Sequence, residues 1–292
     1  MNVVVPDNVY ACIVAPDDYA ARTRLALACC DCDSIPKLGG AGGLRQIDGT
    51  WYQMMHNGVL VALDGYYGRW MSDIIRNLKG HHEPQEELAF HNVLSAIGPN
   101  ATMIEAGSYW AYYSAWFQKR IPGARNIMIE PVERNLEVGK QNFQINGFSG
   151  DFVNAYVGRK VTNSSESPDQ VATTTIDATF ERFSLNHVHL LHADVQGAEA
   201  DMLVGAARAF GEKLIDFVFI STHDDRNLHG LCLRRLEAYG YLILCEHNKI
   251  DSFSYDGLIV AQSPALPRLE PITISKRSDF ARLYAGTDSP GC

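Results

Sequence analysis

Long apolar runs are missing from this 292-residue chain, and no basic segment followed by a short apolar one opens it. The expectation is a soluble, cytoplasmic protein with no membrane contact. Positive charge is also scarce: 25 Lys plus Arg stand against 34 Asp plus Glu, a formal balance of -9. A general nucleic-acid binder presents a basic face, so that class is disfavoured and only a local basic pocket stays open. The 7 cysteines make no regular framework. Cys29-Cys30-Asp31-Cys32 is their cluster, and without a second pair at zinc-site spacing it reads as buried thiols. Gly39-Gly40-Ala41-Gly42-Gly43 lacks the Lys-Ser or Lys-Thr of a phosphate loop and reads as a connector.

What is present is organised around residues 102–111. Met103 and Ile104 belong to a buried strand, Gly107 supplies a tight turn, and Trp110, Tyr113 and Phe117 recur at helical spacing. Strand, turn and helix in this order hold a small ligand at the strand's carboxyl end, beside the free N–H groups of the helix start. A second apolar strand, residues 126–130, ends in Glu130, placed to accept hydrogen bonds from two ribose hydroxyls. A nucleoside ligand is therefore expected. A pyrophosphate turn wants G-x-G-x-x-G, whereas this stretch has Glu105, Gly107 and Ala111, with Tyr109 and Trp110 where small residues are needed. Glu105 repels a phosphate but helps to orient an ammonium, directly or through its neighbours. S-adenosylmethionine has a ribose, an ammonium and no phosphate, and it fits best. A dinucleotide site and a purely structural turn are the alternatives.

From residue 102 strands and helices alternate. Strands are predicted at 103–105, 127–130, 152–157, 188–194, 214–221, 241–245 and 257–261, with helices at 109–120, 131–145, 199–208 and 228–239. Repeated strand–helix units imply an α/β fold with a mainly parallel sheet covered on both faces. Three units are expected: a helical and hairpin extension over 1–98 that serves as a substrate cap, a cofactor-binding domain over 99–264, and a tail over 265–292 with a short helix near 279–284. Within the extension, Val3-Val4-Val5 suggests an edge strand and Pro16-Asp17-Asp18 a helix start. Turns at Asp48-Gly49, Asn57-Gly58 and Asp64-Gly65 mark hairpins. Met54, Met55 and His56 either line a pocket or simply pack.

Candidate acceptor contacts are His82, Glu83 and Gln85, which stand just before the central strand. Asp194 ends a strand able to lie beside the glycine-turn strand, where it faces the cleft or caps the next turn. His223 follows the 214–221 strand and is a candidate base, with Asp224 to orient it.

The chain resembles the FkbM-type S-adenosylmethionine-dependent methyltransferases. The resemblance rests on Glu105-Ala106-Gly107-Ser108-Tyr109-Trp110-Ala111-Tyr112-Tyr113-Ser114, Ile129-Glu130-Pro131, Asn154-Ala155-Tyr156-Val157-Gly158, Thr175-Ile176-Asp177 and, most specifically, Ala193-Asp194-Val195-Gln196-Gly197-Ala198-Glu199. It implies a Rossmann-like methyltransferase fold, a seven-stranded sheet whose last strand is antiparallel, and O-methylation of a hydroxyl on a sugar, glycoside or natural-product scaffold. By position, it gives Glu105, Gly107, Ser108 and Tyr109 to the methionine end of the cofactor, Glu130 to the ribose, and Asn154 with Ala155 to the adenine. Asp194 and Glu199 form the acidic motif of the reaction face, and His223 matches a histidine after the next strand. Glu105 replaces the more usual Asp, and Gln196 stands where relatives commonly carry Glu.

The sulfonium activates its own methyl group, so the protein mainly aligns an oxygen behind that carbon and excludes water. His223 is the preferred base because its solution pKa lies near neutrality, and Asp194 positions the hydroxyl. A divalent metal on Asp194, His223 and another acid is a less favoured alternative. An NAD-dependent oxidoreductase and a noncatalytic S-adenosylmethionine-binding protein remain the other classes, and a homo-oligomer stays open.

Overall fold

The computed structural model describes residues 18–223 and 227–279. Asp18 acts as a helix cap, accepting the Ala21 N–H at 2.9 Å, and starts α1 (Tyr19–Ala28). β1 (Leu44–Ile47), β2 (Thr50–Met54) and β3 (Leu60–Ala62) make an antiparallel sheet of three strands. Asp48 and Gly49 join the first two with φ of 48° and 80°, the doubly left-handed turn that matches strand twist. α2 (Arg69–Asn77) and α3 (Pro84–Leu94) follow, the latter with proline in its first turn, where a missing N–H costs nothing.

The main body alternates β4 (Thr102–Ala106), α4 (Tyr112–Arg120), β5 (Arg125–Ile129), α5 (Glu133–Ile145) and β6 (Asp151–Val153). A short parallel pair, β7 (Tyr156–Val157) and β8 (Thr173–Thr174), leads to α6 (Ile176–Arg182). Then come β9 (Val188–Ala193), α7 (Glu199–Val204), α8 (Ala207–Gly211), β10 (Ile215–Thr222), α9 (Leu228–Ala238), β11 (Leu242–His247) and β12 (Gly257–Gln262).

The seven-stranded sheet runs β11-β12-β10-β9-β4-β5-β6, and β12 is antiparallel to both its neighbours. This is the Rossmann-like class I methyltransferase arrangement. The chain moves outward from β4 through β5 to β6, then returns to place β9 on the other flank of β4. A crevice forms at such a reversal, above the carboxyl ends of β4 and β9.

Successive residues of a strand face opposite sides of the sheet, and two cores result. Met103, Leu190 and Phe219 face a core shared with Met55, Ile75, Phe90, Trp110, Tyr112 and Phe117. Ile104, Leu191 and Val218 face a second one with Phe180, Leu203 and Phe210. The first core thus includes side chains from both sides of residue 98.

Two expectations change, and one open choice is decided. The 152–157 strand is broken, because the Asn154 side chain donates to the Glu130 and Pro131 carbonyls at 3.1 and 2.8 Å and draws the chain out of the sheet. Residues 109–111 belong to a turn, so α4 starts at Tyr112. Met55 and His56 are buried in packing positions. The Val3-Val4-Val5 strand lies outside the described residues, as does the 279–284 helix apart from its first residue.

Candidate active site

The turn after β4 is held in a backbone shape that few sequences adopt. Gly107, Tyr109 and Ala111 have φ of 75°, 41° and 55°, and the N–H groups of Gly107 and Ser108 both donate to the Ile129 carbonyl, at 2.8 and 3.1 Å. A Cβ on Gly107 would meet the Asp194 carbonyl oxygen at 1.7 Å. Only glycine lets the two strand ends approach this closely.

Around the turn stand two buried acids. Glu130 is 5% exposed and accepts the N–H groups of Tyr109 at 3.1 Å and Val132 at 2.9 Å, while burial raises its carboxyl above the ordinary range. Glu105 is 3% exposed and accepts the Ser114 N–H at 3.1 Å; burial pushes it up to about 7. Through this bond it is tied to the start of α4. Its register partner on β9 is His192, which pairs with Glu86 of α3 at 2.5 Å and stacks on the Tyr113 ring at 4.2 Å. Ser108 is buried with its Oγ unpartnered, and Ala155 is buried beside the exposed Asn154.

The adjoining strand ends carry the reaction-face residues. His223, after β10, places Nε2 at 3.1 Å from Asp194 Oδ1 and 3.5 Å from Asp256 Oδ1, and Nδ1 at 2.8 Å from Glu199 Oε1. Burial favours the neutral ring, but the hydrogen bonds to Asp194 and Glu199 and the charges of Asp194 and Asp256 push it up to about 11. This departs from the expectation of a near-neutral pKa, because the flanking acids favour the protonated ring. Asp194 resists burial and is held below its ordinary value by His223. The Gln196 amide nitrogen donates to Asp194 Oδ1 at 2.7 Å and lies 2.9 Å from His223 Nε2.

Glu83 comes to the same face from the start of α3. Its Oε2 accepts the Tyr113 hydroxyl at 3.0 Å and lies 3.3 Å from His82 Nε2. His82 is buried, yet Glu83 and Glu87 push it up to about 10. Gln85 does not face a ligand: its amide donates to the Asp251 and Ser275 carbonyls and its oxygen accepts the Phe253 N–H at 2.8 Å. Asp224 lies outside the described residues.

Sequence reasoning missed Asp256, Tyr66 and Tyr67. Asp256 precedes an antiparallel strand, and reversal puts a strand's start at the edge where its neighbours end, so the expected direction of the last strand was the available signal. Tyr66 and Tyr67 carry no local signal.

Two further groups bring histidines and an acid within metal-ligand reach of one another: His56, His81 and Glu87, and His187, His189 and Asp216. In the first, the two imidazoles stack at 4.2 Å with planes 16° apart, so their in-plane lone pairs run side by side. In the second, His189 Nδ1 accepts the Thr102 N–H at 3.0 Å, which puts the ring proton on Nε2. Among the described residues, no helix is long and apolar enough to cross a membrane.

S-adenosylmethionine fits the residues of the glycine turn. They combine the buried Glu130 carboxylate, the buried and unpartnered Ser108 hydroxyl and a glycine turn closely packed on the end of the neighbouring strand. Residues 96–243 match the Methyltransferase FkbM domain. No curated protein matches the chain. Among solved structures, it is similar to a precorrin-6y C5,15-methyltransferase from Geobacter metallireducens GS-15, with 13% identity and a TM-score of 0.41 over 60% of this chain and 87% of that one. TrmK of M. capricolum, solved with S-adenosyl-homocysteine, is 14% identical with a TM-score of 0.40, over 62% of this chain and 71% of that one. An rRNA methylase from Streptococcus thermophilus is 8% identical with a TM-score of 0.42, over 61% of this chain and 96% of that one. The FkbM match takes in Gly107, Glu130, Asp194, Glu199 and His223 and covers half of the chain, which therefore belongs to the FkbM methyltransferase family and carries an S-adenosylmethionine-dependent methyltransferase domain.

Proposed function

We propose that the protein O-methylates a hydroxyl of a sugar, glycoside or natural-product scaffold. The observation that carries this reading is the approach of Asp194 and His223 to 3.1 Å at the carboxyl edge, directly across from the Gly107 turn. Glu130 holds the ribose, Gly107, Ser108 and Tyr109 the methionine end, and Asn154 with Ala155 flank the adenine. When bound, S-adenosylmethionine supplies a methyl group on a positively charged sulfur.

Asp194 accepts a hydrogen bond from the acceptor hydroxyl and holds its oxygen in line. An alcohol oxygen becomes strongly acidic as it forms its third bond, to the methyl carbon, and gains positive charge, so a carboxylate of low basicity is enough to take its proton. His223 positions this carboxylate: its two nitrogens tie Asp194 to Glu199. Glu83, from the extension, closes the acceptor side.

The test is methyl transfer from isotopically labelled S-adenosylmethionine to a panel of hydroxylated sugars and glycosides, read by mass spectrometry. Label on an acceptor oxygen is expected, with turnover lowered in Asp194→Asn and in His223→Ala while affinity for S-adenosylhomocysteine persists. Label confined to nitrogen or carbon would overturn the reading.

A further inference from the structure

The acceptor side of the cleft holds more negative charge than its own residues balance. Glu83, Asp194, Glu199 and Asp256 arrive from four separate segments, and Asp194, Asp256 and Glu83 all act on the Tyr66 and Tyr67 hydroxyls, raising their pKa values after the larger effect of burial. Against them stand the His223 imidazolium and a share of His82, whose charge is also held by the fully buried Glu87 at 2.6 Å.

Asp256 keeps 30% of its side chain open to solvent at the edge of this group. Among the described residues no hydrogen-bond donor reaches it, and its nearest cation, His223 Nε2, lies at 3.5 Å. Glu199 is wholly buried, and its Oε2 has no hydrogen-bond partner either. Burial, Asp194 and Glu83 together push Asp256 up to about 7, although His223 and Arg22 oppose them.

Aromatic rings border these acids. Tyr66, Tyr67 and Tyr109 make a three-ring cluster with centroids 4.6, 5.0 and 5.4 Å apart, and Tyr67 is 48% exposed. The chain already places one of its own cations in such a setting: the Arg22 guanidinium sits 4.0 Å over the Tyr255 ring and 5.3 Å from Trp70. Arg22 makes no ion pair with Asp256 among the described residues, although its charge, like that of His223, favours the ionised carboxylate.

We propose that the acceptor bears a protonated amine, held by Asp256 and Glu83 against the Tyr66, Tyr67 and Tyr109 rings while its hydroxyl lies at Asp194. This rests on the methyltransferase reading and narrows its acceptor to an amine-bearing, hydroxylated molecule. A neutral sugar satisfies carboxylates through its hydroxyls but leaves their charge in place, whereas an ammonium cancels it in a partly desolvated cleft. The sulfonium does not remove the need, since its charge is lost on transfer and its ammonium is offset by its own carboxylate. Glu83 and Asp256 both lie outside the 96–243 stretch that the family shares. They are specificity residues of this chain.

The test is saturation-transfer NMR on the full-length protein, with and without S-adenosylhomocysteine. The probes are glucosamine and 2-aminoethyl β-glucoside, paired with glucose and 2-hydroxyethyl β-glucoside. The amines should give at least tenfold stronger binding than their neutral partners. Their advantage should vanish in Asp256→Asn and shrink in Glu83→Gln, two folded variants with unchanged S-adenosylhomocysteine affinity. Binding of 2-aminoethyl β-glucoside should strengthen between pH 6 and pH 8, as Asp256 ionises. Equal binding of charged and neutral partners, no binding of either amine, or an advantage untouched by both substitutions overturns the proposal. Failure of S-adenosylhomocysteine to bind would instead count against the cofactor site, whatever the amines do.

Discussion

His223 Nδ1 donates to Glu199 Oε1 at 2.8 Å, and Glu199 is fully buried. The histidine is therefore a fixed cation that organises the reaction face. Removing the charge of Glu199 should release it: in Glu199→Gln the His223 ring titrates well below its native value of about 11, as followed by imidazole NMR. The pH sign follows from the raised folded value. This ring contributes its full stability below its ordinary pKa of 6.5 and loses it as pH climbs toward about 11. Urea unfolding should show the advantage of the native protein over Glu199→Gln narrowing between pH 7 and pH 10. A constant difference would mean that Glu199 does not change the protonation of His223 over this range.

Gly107→Ala places a methyl group where the Asp194 carbonyl oxygen already sits, 1.7 Å away, and at a φ of 75°. The two strand ends must separate. The expected cost is roughly 2–4 kcal/mol, at the severe end for single substitutions. Denaturant melts measure it, and calorimetry should show that cofactor affinity falls in the same variant.

Glu130→Ala removes the acid expected at the ribose. A charged hydrogen bond is worth about 1.5–3 kcal/mol, so affinity for S-adenosylhomocysteine should fall about 10- to 100-fold by calorimetry. Because Glu130 also accepts the Tyr109 and Val132 N–H groups, Glu130→Gln is the companion variant. It keeps one acceptor for the turn, and should fall between the native protein and Glu130→Ala.

Phe90, on α3 of the extension, is fully buried and packs on Trp116 at 5.0 Å and on Phe219 of β10 at 5.6 Å. Phe90→Ala should destabilise the whole molecule by about 3–5 kcal/mol in one cooperative transition. Two separate transitions, with the main sheet unaffected, would show that the extension is an independent layer.

The strand-end acids were legible because topology and a strand's end together fix the edge on which a side chain appears. Gly107, Glu130 and Asp194 could thus be placed by reading apolar runs and their terminations. Gln85 could not: its partners Asp251, Phe253 and Ser275 lie more than 160 residues away, and no local pattern reports a bond of that span. The charge of His223 was hidden for a related reason, since it depends on acids from the β9 end, the α7 start and the segment before β12. The fold came through with fewer errors because hydrophobic periodicity is local. Where a side chain intervened, as Asn154 does between β6 and β7, periodicity alone continued the strand too far.

One measurement bears most directly on the site built around Gly107 and Glu130: calorimetric titration of the full-length protein with S-adenosylhomocysteine, with NADH as the comparison. The account predicts saturable binding of S-adenosylhomocysteine at one site per chain, weakened in Glu130→Ala, and no binding of NADH. Saturable NADH binding with no response to S-adenosylhomocysteine would contradict it.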